Sequence, residues 1–353
     1  MWTLENQTPF AVERGWVRDK DGSEVWIVAV KGTFAIAPDG RLKLAEEQLP
    51  VTLATTYRAE PGQSSLLAET DLVHRKQNTD VVVLGHVYAP QGQPASIVDA
   101  GFKLANIHKM VRAVGDRIWE KSSTGLSLTK PKPFVKMPVI YERSFGGADL
   151  RSTLAHERGW EERNPIGAGF AMKMDDLAGK PAPNIENPSS MIFQWNSKPR
   201  PIGLGPIPVN WAPRVKYGGT YDQKWEETRQ PLLPNDFNDR FHQSAPEDQQ
   251  TEGFLLGGET VELTNLTPGG FLKFRLPKVT FRFETSFGLH DIQSHSCNMH
   301  TVVVEPDVPQ VAVVWHTYLP CHHNVLKLLK TTIAVKRRIN VSRQELANGL
   351  WVM

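Results

Sequence analysis

Hydrophobic and polar positions alternate along much of this chain, and the alternation predicts strands. Two runs rich in β-branched and aromatic residues, 11–18 and 25–36, flank Asp19-Lys20-Asp21-Gly22; an Asp-Gly step between such runs predicts a hairpin. A second strand pair is expected at 80–88 and 95–104 across Ala89-Pro90-Gln91-Gly92-Gln93-Pro94. It extends into a meander through 106–112 and 117–120. Near the other end, Leu272, Phe274 and Leu276 alternate with Lys273 and Arg275, and Val279, Phe281 and Phe283 alternate with Thr280, Arg282 and Glu284. Runs 301–305 and 311–315 around Pro306-Asp307-Val308-Pro309-Gln310 predict another hairpin. Short strands at this spacing argue for an antiparallel sandwich or barrel-like sheets, a mainly β fold.

Two stretches break the alternation. Val325, Leu328, Leu329, Thr332 and Ile333 follow the helical period, and Lys336-Arg337-Arg338 suits the negative end of a helix dipole, so a C-terminal helix is expected. The capping spacing of Ser342-Arg343-Gln344-Glu345 predicts a second short helix. From Glu142 to about Gln250 neither period persists, and glycine and proline punctuate the chain. A structureless loop of that length is improbable in a compact domain. Ordered irregular structure with short helices is therefore expected, packed by Phe170, Trp160, Trp195, Trp211 and Trp225. The organisation reads as an N-terminal antiparallel β region (1–141), an irregular Gly/Pro/Trp-rich region packed on the sheets (142–256) and a C-terminal β region with a terminal helix (257–353), within what could be one continuous domain.

Composition narrows the function classes. The 353 residues carry 40 Lys+Arg against 38 Asp+Glu, a net charge of +2, dispersed in both signs, which argues against a dedicated nucleic-acid binder. The start, Met1-Trp2-Thr3-Leu4-Glu5-Asn6, lacks the basic and apolar regions of a secretory signal, no apolar run approaches membrane-spanning length, and two cysteines make no disulfide framework. A cytoplasmic protein with neither a membrane nor a nucleic-acid partner is expected.

Candidate chemistry is sparse. Six of the eleven histidines (His290, His295, His300, His316, His322, His323) and both cysteines (Cys297, Cys321) fall within 290–323. That is the donor chemistry of zinc without its common spacings. A metal-dependent hydrolase built on this segment stays open as an alternative, as does a carbohydrate-binding module using Trp26, Trp119, Trp195, Trp211, Trp225 and Trp315. No nucleophile elbow and no phosphate-cradling glycine loop occurs, which lowers the enzyme reading without excluding it and points to no cofactor.

One passage is more specific. The run from Lys132 through Phe134, Met137, Tyr141, Glu142, Arg143, Phe145, Gly146 and Gly147 to Asp149 resembles the signature of a bacterial family known only as a domain of unknown function and encoded beside type VI secretion effectors. The resemblance continues through Asn164-Pro165-Ile166-Gly167, Pro183-Asn184-Ile185-Glu186, Pro201-Ile202-Gly203-Leu204-Gly205, Trp211-Ala212-Pro213-Arg214, Gly219-Thr220-Tyr221-Asp222, Pro231-Leu232-Leu233-Pro234-Asn235-Asp236-Phe237-Asn238 and Ala245-Pro246-Glu247-Asp248-Gln249-Gln250. It covers nearly the whole chain. It implies a non-enzymatic adaptor or chaperone that binds an effector, through its spike-tip domain, or the spike protein itself, and helps mount the effector on the spike. The eight residues Phe134, Met137, Tyr141, Glu142, Arg143, Phe145, Gly146 and Gly147 are the candidate partner contacts. The glycines also suit positive φ, and Phe134, Met137 and Tyr141 also suit a core.

Overall fold

The computed structural model describes residues 2–336 except 124 and 289. Three open sheets dominate it, and none closes into a barrel. The largest runs in the order Ala11–Arg18, Glu24–Ile36, Gln310–Thr317, Cys297–Glu305, Asp80–Val83. Every pairing along it is antiparallel except the last. A five-stranded antiparallel sheet follows the order Ile185–Glu186, Ile107–Val114, Ile97–Leu104, Thr260–Thr264, Phe271–Arg275. The third sheet joins Thr3–Asn6, Lys330–Val335, Phe281–Ser286 and Ile292–His295. Strands from both ends of the chain thus share sheets.

Inner faces of the three sheets meet in one core. Trp26, Val28, Val30 and Val302 come from the first, Phe102, Leu104, Val111 and Leu263 from the second, Phe283 and Ile333 from the third. The Glu24–Ile36 strand is buried on both faces: Ile27 and Ala29 point away from that core yet are fully enclosed. Val51, Val314 and the half-buried Leu72 cover Ala29. This explains why the run reads as continuously apolar.

The hairpins expected at 11–36 and 301–315 form, the second as Cys297–Glu305 paired with Gln310–Thr317. The pair expected at 80–88 and 95–104 does not. Val81-Val82-Val83 is buried throughout and docks parallel to Cys297–Glu305, while His86–Tyr88 turns away and pairs with Lys136–Pro138. A fully apolar triplet satisfies both covered faces of a strand in the large sheet, which a half-solvated hairpin cannot offer. The next step of the expected meander forms, Ile97–Leu104 pairing with Ile107–Val114, but Trp119–Ser122 pairs with Gly125–Leu128 rather than extending it.

The helix expected over 325–333 is also corrected. A single 3₁₀ turn, Val325–Lys327, leads into the strand Lys330–Val335, where Thr331 and Ile333 are buried on one face. Thr331, Thr332, Ile333 and Val335 are β-branched, and the strands Thr3–Asn6 and Phe281–Ser286 supply ladder partners on both sides; tertiary pairing overrides the short helical period. Arg337, Arg338 and the capping sequence from Ser342 lie outside the described residues. The α-helix observed among the described residues is Gln223–Thr228, where the Asp222 carboxylate accepts the Trp225 backbone N–H. No helix among the described residues is long and apolar enough to cross a membrane.

Between 142 and 256 ladders shrink to two-residue pairings and turns, and side chains add the long-range ties to the backbone. The amide of fully buried Asn164 donates to the carbonyls of Tyr141 and Phe145, at 2.8 and 2.9 Å. Gln249 donates to the carbonyls of Val81 and Leu204. Arg214 donates to those of Ile207 and Phe241 and pairs with Glu69 at 2.6 Å. Arg117 and Glu186 form a buried ion pair. Such bonds are how an irregular chain meets the rule that buried backbone polar groups must be partnered. Of the aromatic residues expected to pack this region, Trp211 is buried edge-on to Tyr141 at 5.5 Å, whereas Trp160 is half exposed.

Candidate functional site

The signature residues sit at the junction between the sheets and the irregular region, and most of them face inward. Met137, Tyr141, Phe145, Gly146 and Gly147 are buried; Phe134, Glu142 and Arg143 are half-buried. Gly146 and Gly147 have φ of +152° and +111°, and a Cβ on Gly146 would lie 2.1 Å from the Asn164 carbonyl oxygen, so only glycine allows this approach. The Glu142 carboxylate accepts the Ser65 backbone N–H at 2.7 Å and its hydroxyl at 2.9 Å, anchoring the hairpin of Thr56–Tyr57 and Leu66–Ala68. Arg143 donates to Asn184 at 3.0 Å. The Tyr141 ring lies where a Cβ on Gly203 would be, 2.7 Å from its Cζ, and burial raises its hydroxyl pKa. Each signature residue therefore ties one part of the chain to another.

Immediately beyond them the chain makes a short excursion into solvent. Ala148–Asp149 pairs with Gly159–Trp160, placing Ala148 opposite Trp160, and Leu150 falls on the same side of the pleat as Trp160. Leu150 is 57% exposed, Leu154 and Trp160 each 53%. On the other side, Asp149 is buried; its carboxylate accepts the Met172 backbone N–H and pairs with Arg151, which holds its pKa below the usual carboxylate range.

A cleft of about 610 Å³ opens on the outer face of the large sheet. Val82, Val303 and Ala312 line its sheet side, with Leu49, Leu53 and Leu67 on the opposing segment. At its margin Lys31 pairs with Asp71 at 3.0 Å and donates to Thr52. Past Glu69 and Thr70, which line both spaces, lies a second cavity of about 320 Å³, bounded by His74, Arg214, Phe237, Phe241 and His242.

His74 and His242 on the wall of the second cavity belong to a group that sequence reading missed. Asn238 caps the 3₁₀ turn Asp239–His242, accepting the Arg240 N–H, and a 3₁₀ helix eclipses residues three apart, so Asp239 and His242 project together. His74 meets them from 165 positions upstream, its Nδ1 lying 3.4 Å from Asp239 Oδ1. Tyr318 packs edge-on against the His74 ring at 5.2 Å. Burial drives His242 down to about 4, and the bond to His74 holds Asp239 below its ordinary value. The Asp-x-x-His spacing was the only local signal; the partner histidine has none.

The histidine- and cysteine-rich segment is dispersed. His290, His322 and His323 are exposed, and among the described residues it supplies no set of three convergent metal-ligating groups. His300 and His316 stack at 4.4 Å in the interior; burial lowers His316 to about 3 and pushes Cys297 up to about 12. Of the tryptophans considered for sugar binding, Trp26, Trp119, Trp211 and Trp315 are buried, and Trp195 and Trp225 are half-buried.

The layered open sheets and the interlocked irregular region define a mainly β protein whose sequence motifs mark its internal joints. The chain belongs to a family described as an uncharacterized protein conserved in bacteria, DUF2169, matched over residues 21–316. No curated protein and no solved structure matches it.

Proposed function

We propose that this protein is a non-enzymatic adaptor that binds a type VI secretion effector in the cytoplasm and promotes its loading onto the spike. The observation that carries the reading is the exposed apolar excursion of Leu150, Leu154 and Trp160, raised on the signature framework itself. Large apolar side chains held in solvent by a braced hairpin suit a protein interface, where tryptophan is a frequent energetic anchor. The signature residues then act as the frame that holds this surface, and the effector meets the residues just beyond them.

Co-expression with the effector encoded beside this gene tests the reading. The wild-type chain should co-purify with it, and a Leu154→Asp/Trp160→Asp variant with unchanged unfolding midpoint should lose at least tenfold in affinity. Effector that stays soluble and is exported normally after deletion of the gene would refute the proposal.

A further inference from the structure

We infer that His74, Asp239 and His242 form a binding site for a divalent transition metal ion, zinc being the best match to two imidazoles and one carboxylate. One ligand atom from each lies within 4.8 Å of the other two, a convergence found for no other set among the described residues. Tetrahedral zinc with bonds of about 2.0–2.1 Å separates its ligands by roughly 3.3 Å, so a small inward movement of side chains suffices.

Three further features point to an ion. His74 Nε2 is enclosed without a hydrogen-bond partner, and its Nδ1 contact with Asp239 is long for a hydrogen bond, so the ring lacks a good protein partner at either nitrogen. An ion held through Nε2 would give that atom the partner it lacks. Arg75 Nε lies 3.2 Å from Asp239 Oδ2, the kind of outer contact that orients a ligating carboxylate. The adjoining cavity leaves room for a fourth ligand, a water or a donor from a bound partner. The nearby Arg214 charge is already matched by Glu69 at 2.6 Å.

Such an ion would clamp the chain around His74 to the turn Asp239–His242, across the long sequence separation between them. The site stands independently of the adaptor reading, since it needs no effector. The test uses the full chain, stripped with a chelator and desalted, then titrated with zinc against a chromogenic competitor. One ion per chain is expected, with a thermal midpoint several degrees higher when zinc is in excess. Asp239→Asn and His242→Gln should each weaken binding at least tenfold, whereas a His290→Ala/His322→Ala variant should keep one ion. Cobalt in place of zinc should give visible d–d bands without thiolate charge transfer. A folded wild-type chain that takes up no stoichiometric ion, binding that survives both ligand substitutions, or a thiolate band implicating Cys297 or Cys321 would each overturn the inference; the cobalt and stoichiometry readouts need only the wild-type chain.

Discussion

The sheets and the irregular region solve the same problem by different means. In the Glu24–Ile36 strand, ladders on both sides satisfy most of the backbone, with Thr317 and Gln48 completing it at Val28 and Thr33, and most side chains are left to pack. Between 142 and 256 turns and short bridges pair part of the backbone, and particular side chains add the ties between distant segments: Asn164, Gln249 and Arg214 each serve two carbonyls. The first arrangement spreads stability over many interchangeable apolar groups. The second concentrates it in a few polar residues with no substitute, and these fall in the sequence motifs.

The comparison is sharpest at Asp80, where the two regions join. Its fully buried carboxylate lies 2.6 Å from Lys76 Nζ and accepts the Gln243 amide and the Ser244 backbone N–H. Asp80→Ala should cost about 3–5 kcal/mol in urea unfolding, because it leaves a buried ammonium without its counter-ion and the Ser244 N–H without its acceptor; a loss under about 1 kcal/mol would show that the joint is not held electrostatically. Asn164→Ala should cost about 2–4 kcal/mol by the same measurement, since two buried carbonyls lose their donors.

Acid tests the sheets instead. His295, stacked on Phe283, and His316, inside the large sheet, are driven by burial to about 4 and about 3. An unfolded imidazole takes up its proton near 6.5, so below that pH the unfolded chain gains protons that the folded chain refuses. Stability is therefore fully present above 6.5 and falls as the pH drops toward the folded values, by on the order of 2 kcal/mol per histidine at pH 5. Urea midpoints at pH 7 and 5 measure this, and His295→Phe should make the decline shallower; an unchanged slope would remove that residue from the account. The smallest effect is expected at a ladder-supported apolar site: Ile27→Val, fully buried, should cost about 1 kcal/mol in the same assay. If it rivals Asn164→Ala, the contrast between the regions fails.

Much of the regular region was legible. The Asp21-Gly22 hairpin and the pair around Pro306 follow from period and turn chemistry, which act locally. Partner choice did not follow: nothing near Val81-Val82-Val83 announces a parallel neighbour more than two hundred residues away. At 325–333 a helical spacing of apolar residues lost to ladder partners from both ends of the chain. In the irregular region the motifs were visible as words, yet their meaning as side-chain-to-carbonyl ties depends on which backbone passes nearby. The His74, Asp239 and His242 group was half legible, its i, i+3 pair being local and its third member arriving only through the fold.

The interleaved order of the large sheet has a consequence during synthesis. The Glu24–Ile36 strand needs Gln310–Thr317 on its second edge, and at about 5–20 residues per second a ribosome supplies that partner roughly 15–55 s later. Through that interval the stretch Ala29 to Ala35 has one unpaired edge. The nascent chain thus stays open to misassociation until residues 310–317 have been made, and truncation ahead of residue 310 should yield an insoluble product even though most of the sequence motifs are present.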